Sequence, residues 1–141
     1  MGSGKDVIYI NKTTYQKMLA DAKAAYPNEC CGVLLGKDKK VATARLMENI
    51  NKDRANDRYE VNPKELLKIE KEASAGRLEV IGFYHSHPDH PDRPSAFDRE
   101  RGWPFYSYVI ISVHNGKDVS VRSWTFEDEK EPFREEGMKI V

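Results

Sequence analysis

The sequence predicts an α/β domain, a mixed β-sheet with helices packed on it. Two observations carry this: short apolar runs alternate with two capped helical patterns, and two late apolar runs flank an Asn-Gly pair at Asn115-Gly116. The length of 141 residues fits a single domain over 1–141.

The elements follow in order. Residues 7–10 form a short apolar strand. Asn11 can cap a helix whose apolar positions Tyr15, Met18, Leu19, Ala22 and Ala25 recur at helical spacing, and Pro27 stops it. Residues 30–35, closed by Gly36, read as a buried strand, and 41–47 as its partner after a charged turn. Residues 51–57 are polar and predict a loop, whereas 58–61 alternate as a short strand would.

Asn62, Pro63 and Glu65 combine a cap, a first-turn proline and a capping-box acid. That helix continues through Leu66, Ile69 and Ala73 until Gly76. Residues 78–84 predict a central strand that delivers His85-Ser86-His87 at its end, followed by a proline-broken loop over 88–94. Residues 108–113 and 119–124 form the hairpin, and Trp103-Pro104 is expected to pack over the helix that Ser95 starts. The acidic tail, 127–141, is expected to cover a sheet edge or stay mobile.

Lys plus Arg and Asp plus Glu each number 23, so the formal charge is zero. That balance argues against nucleic acid or an anionic membrane as partner, since both demand a basic surface. No run approaches the ~18 apolar residues of a transmembrane helix. The start, Met1-Gly2-Ser3-Gly4, lacks the apolar core of a signal peptide and reads as a flexible or vector-derived segment. Cys30 and Cys31 are adjacent and bridge only with a distorted peptide, so a disulfide framework is excluded and a cytoplasmic setting is expected.

The chemistry concentrates in His85-Ser86-His87-Pro88 and Ser95-Ala96-Phe97-Asp98. Histidines at i and i+2 of a strand share one face, which lets both imidazoles reach one metal. Asp98 follows a loop that can fold back over them, and two imidazoles with one carboxylate leave a fourth tetrahedral position for water. Taken alone, Ser95-x-x-Asp98 is an ordinary helix start; the two readings are compatible, because a capped first turn holds a ligand rigidly.

His-x-His-Pro, a Ser-x-x-Asp separated from the second histidine by seven residues, and an upstream glutamate before a buried strand together resemble the JAMM (MPN+) metalloprotease family. The matching residues are Glu29, His85, His87, Ser95 and Asp98, and the segments 28–36 and 107–113 resemble its short bacterial members. The resemblance implies an MPN fold: a curved mixed sheet flanked by helices, similar to cytidine deaminases. It implies Zn²⁺ on His85, His87 and Asp98, Glu29 as proton carrier and Ser95 as donor to an oxyanion.

It also implies a substrate, the C-terminal glycine tail of a ubiquitin-like or sulfur-carrier protein, added as a strand to an open sheet edge beside the metal. The alternatives are a non-catalytic MPN module that binds a partner, and a zinc peptidase of broader specificity. A zinc deaminase fits poorly, because Cys30-Cys31 lacks the Cys-x-x-Cys spacing. His90 reads as a solvated loop residue or substrate contact, and His114 as neutral beside its turn. One of the two cysteines is expected in the core, and Ser86 is either a small spacer or a support for its neighbours.

Overall fold

Local capping explains the helices of the computed structural model, which describes residues 6–141; the reading of residues 1–4 falls outside the described residues. Strand β1 (Val7–Ile10) leads into helix α1 (Lys12–Ala25), where the Asn11 side chain accepts the Thr14 N–H at 2.8 Å. The helix buries Thr14, Met18 and Ala22 at four-residue steps and ends two residues before Pro27. Strands β2 (Cys31–Lys37) and β3 (Lys40–Met47) follow, then α2 (Pro63–Ala75), which ends at Gly76. Asn62 caps α2 through the Lys64 N–H at 2.9 Å, and Glu65 stands in its first turn, where its charge suits the helix dipole.

Strand β4 (Glu79–Pro88) precedes the short α3 (Ala96–Arg101), and β5 (Ser107–His114), β6 (Asp118–Thr125) and β7 (Arg134–Ile140) complete the chain. The sheet runs β1-β3-β2-β4-β5-β6-β7 and closes by parallel pairing of β7 with β1. Strand β4 lies at its centre, antiparallel to β2 and parallel to β5. One face, with Leu34, Val109 and Ile111, packs with Met18 and Ala22 of α1; the other, with Val33, Leu35 and Phe83, packs with Ile69 and Ala73 of α2. Cover on both faces is why β2 and β5 read as unbroken apolar runs. No helix among the described residues is long and apolar enough to cross a membrane.

Two expectations are corrected, and the alternatives for the tail are decided. Residues 58–61 form no strand, because the Asn49 side chain takes the ladder positions: its Nδ2 donates to the Arg58 carbonyl at 3.0 Å and its Oδ1 accepts from the Glu60 N–H at 3.2 Å. The histidines lie inside β4 rather than at its end, since the strand stays paired with β5 through Pro88 and Val113. The tail takes the first of its two readings and covers a sheet edge as β7, anchored by the buried Glu136, which accepts from Lys39 Nζ at 3.0 Å and Ser123 Oγ at 2.7 Å. Closure covers the outer sides of β1 and β7, while β3 beyond Val41 pairs only with β2 and keeps an outer edge that runs towards Met47.

Candidate metal centre

Strand alternation puts Phe83, His85 and His87 on one face of β4, and the register Cys31↔His85 lays the start of β2 beside them. Glu29 stands two residues before Cys31, on the same parity. Its backbone is held on every side: its N–H donates to the Ala55 carbonyl at 2.7 Å, and its carbonyl accepts from Asn49 Nδ2 at 3.3 Å. Ser86, facing the opposite way from the histidines, clips the neighbouring peptide. Its Oγ accepts the Cys30 N–H at 2.8 Å and its own N–H donates to the Cys30 carbonyl at 3.1 Å. Of its two readings, Ser86 is the support.

Helix α3 supplies the carboxylate. Ser95 Oγ accepts the Asp98 N–H at 3.0 Å, and Asp98 Oδ2 accepts the Ser95 N–H at 2.9 Å, a complete capping box. The same Oδ2 lies 3.2 Å from His85 Nε2 and 3.1 Å from His87 Nε2, and the two Nε2 atoms are 3.1 Å apart. His87 Nδ1 sits 2.7 Å from the Pro91 carbonyl, which can only accept, so Nδ1 carries a hydrogen and a ring with that one proton turns its Nε2 lone pair inward. That lone pair faces a carboxylate oxygen and a second imidazole nitrogen. Acceptors converging at such distances fit a cation held among them.

The three side chains are buried, His85 completely, with its ring stacked on Tyr59 at 4.5 Å. Burial raises the Asp98 carboxyl, but His85, His87 and the Ser95 N–H outweigh it and hold the group well below the usual carboxylate range. Burial lowers His85 against the pull of Asp98, which favours the neutral, ligating imidazole. Glu29 behaves oppositely. Burial first, then Asp98 and Asp57, push its carboxyl up to about 9, and its Oε1 has no partner. Ser95 is exposed, and because its Oγ accepts from Asp98 its hydroxyl hydrogen remains free to donate.

All five residues named from the sequence therefore meet: Glu29, His87 and Ser95 line one cavity of about 490 Å³, and Asp98 and His85 adjoin them. His90 stays off the metal cluster and forms part of that cavity's wall. His114 is on the hairpin, 3.8 Å from Asp89. Both cysteines are buried, and burial pushes Cys30 to about 11 and Cys31 to about 12, so neither is a ready nucleophile. Trp103 packs against Phe83 and Tyr106 and lines one groove with Phe97, Asp98 and Arg101 of α3. Sequence reasoning missed the Pro91 carbonyl, the Asn49 bracket and Tyr59, none of which carries a motif.

Comparison with known proteins agrees with this geometry. The model of the prokaryotic homologs of the JAB domain matches residues 11–127. The desampylase of Haloferax volcanii is 37% identical over 108 residues, covering 74% of this chain and 76% of that protein. The CysO-cysteine peptidase of Mycobacterium tuberculosis is 27% identical over 123 residues, covering 86% and 84%. The solution structure of a Desulfitobacterium hafniense protein superposes with a TM-score of 0.82 at 29% identity, covering 95% of this chain and 92% of that one. The chain thus belongs to the prokaryotic homologs of the JAB domain and is a metallopeptidase of the JAMM type.

Proposed function

We propose that this peptidase is zinc-dependent and hydrolyses the bond after the C-terminal glycines of a ubiquitin-like or sulfur-carrier protein. The observation that carries the zinc assignment is the convergence of His85 Nε2, His87 Nε2 and Asp98 Oδ2 within 3.2 Å of one another, with His87 Nδ1 turned away onto the Pro91 carbonyl. Two imidazoles and one carboxylate suit zinc with one position open. Zinc there supplies Lewis acidity, bringing a bound water's pKa to about 7 and polarising a carbonyl.

The chain's own residues do the rest. Glu29 takes a proton from the attacking water and passes it to the leaving amine. Ser95 donates its free hydroxyl hydrogen to the oxygen that gains charge at the attacked carbonyl. The relatives named desampylase and CysO-cysteine peptidase support the substrate class. The tail is assigned to the apolar groove of about 260 Å³ that Asp98, Phe97 and Trp103 line beside the cluster. A cytoplasmic location is assigned on the two free, buried thiols.

His87→Ala should lose most of its zinc while keeping its fold, because β4 has its own pairing on both sides; unchanged zinc content would remove His87 from the ligand set. The substrate is tested on carriers ending in Gly-Gly from the same genome, each joined to one further residue and weighed by mass spectrometry. Replacing the penultimate glycine with a bulky residue should abolish cleavage. Equal cleavage of that variant, or of unrelated unfolded proteins, replaces the carrier reading with a general peptidase.

A further inference from the structure

Two cavities of opposite character meet at Phe97. The groove assigned to the tail is apolar, lined by Tyr59, Val61, Leu66, Phe83 and Trp103. The larger cavity has Glu29, His87 and Ser95 in its wall together with Arg54, Arg58 and Arg93. Its acids are Glu29 and Asp57, so three arginines face two carboxylates and leave positive charge in excess even with both acids ionised.

The arginines are not equivalent. Arg54 is committed to Asp57 through two hydrogen bonds, one of them Nε to Oδ1 at 3.0 Å. Arg58 and Arg93 have no ion-pair partner among the described residues. The Arg58 guanidinium lies over the Phe97 ring, 4.4 Å from its centroid. Stacking of this kind fixes the plane of a guanidinium while leaving its edge donors available for a bidentate acceptor.

The position of Glu29 sets the direction of the substrate. A group that delivers a proton to the leaving amine must lie on the amine's side of the scissile bond, and Glu29 lines the basic cavity but not the apolar groove. Resting on the function proposed above, the acyl tail then occupies the groove and the leaving residue the basic cavity. We infer that Arg58 and Arg93 bind the free α-carboxylate of that leaving residue, so that the preferred substrate carries a single amino acid after its terminal glycine.

The chemistry of the leaving group separates the two classes of adduct. In a single amino acid the carboxylate is attached to the same carbon as the scissile nitrogen, within reach of groups that line the same cavity as Glu29. In an isopeptide the nitrogen ends a lysine side chain, and the lysine's own carboxyl is a full side chain away and tied up as an amide. The reaction is a hydrolysis with no redox change. The C–N bond breaks, the acyl carbon gains the water oxygen, and the amine gains the proton that Glu29 carries.

The test uses a carrier cleaved in the glycine experiment, joined through its terminal glycine to alanine, to alaninamide, or to the Nε of a lysine within a peptide. With zinc-loaded enzyme, kcat/KM for the free acid should exceed that for the carboxamide and the isopeptide by roughly 10- to 100-fold, the range for a hydrogen bond to a charged group. Binding to the inactive Glu29→Gln protein should show the same order without turnover. In Arg58→Gln and in Arg93→Gln the ratio of free-acid to carboxamide cleavage should shrink, mainly through lost cleavage of the free acid; two separate variants guard against one that fails to fold. Equal cleavage of all three adducts by the parent, or full preference in both variants, overturns the carboxylate site alone. Cleavage of the isopeptide with no cleavage of the free acid overturns it too, while leaving the zinc peptidase intact. Cleavage of no carrier in the glycine experiment overturns the substrate class and this inference together.

Discussion

Glu29 is the residue whose environment departs furthest from water while its function requires exchange with it. It is 5% exposed, and its carboxyl sits near 9 rather than at its ordinary value of 4.5 when no metal is bound. A folded-state pKa above the unfolded one means that the folded protein binds this proton more tightly. The stability it contributes is therefore complete below about 4.5 and is lost as pH rises towards about 9, at no more than about 1.4 kcal/mol per pH unit. Metal-free Glu29→Gln should accordingly be more stable than the parent at pH ~8 and flatter across that window, as read by urea unfolding; parallel pH curves would contradict the burial account. Loaded with zinc, the same variant should keep its metal and turn over roughly 100-fold more slowly or worse. The five chemical residues were legible because each has a side chain that only this chemistry needs at that spacing. The Pro91 carbonyl was not, because main-chain oxygen has no letter in a sequence, although it sets the tautomer of His87.

Among the elements, β4 carries the most consequence per residue. Gly82 faces Ser107 across the parallel ladder, and a Cβ there would lie 1.9 Å from the Ser107 carbonyl oxygen. Gly82→Ala must therefore push β5 away from β4 three positions before His85. A loss of about 2 kcal/mol or more is expected by chemical denaturation, with weakened zinc retention, since β4, whose pairing with β5 is disturbed there, carries two ligands. A neutral Gly82→Ala would mean that the strands part without cost. The capped helices were readable because capping is local: Asn11 and Asn62 answer donors two or three residues away. Residues 58–61 were misread because the group that replaces their ladder is the Asn49 side chain, nine to eleven positions back, and no strand pattern announces it.

For the whole molecule the decisive strand is the last. Its run of glutamates reads as surface, and only Lys39, 97 positions earlier, reveals Glu136 as a buried partner inside a closed sheet. Alternation alone cannot disclose a contact at that range, which is why the curved sheet was foreseen and its closure was not. Closure also gives the molecule a mechanical direction. Strands β1 and β7 lie side by side and run the same way, from Val7↔Gly137 to Ile10↔Ile140. A pull applied at Asp6 and Val141 drags one lengthwise past the other, so the ladder bonds bear load together. A pull at Arg122 and Gly137 instead starts at the Ser123↔Glu136 end of the antiparallel β6–β7 pair and opens it bond by bond. Single-molecule stretching should show one high rupture force for the first pair of handles and a lower, graded one for the second. The seam that joins the first strand to the last would then be the tensile clasp of the molecule, able to hold the metal cradle in shape when an unfolding machine tugs on either end.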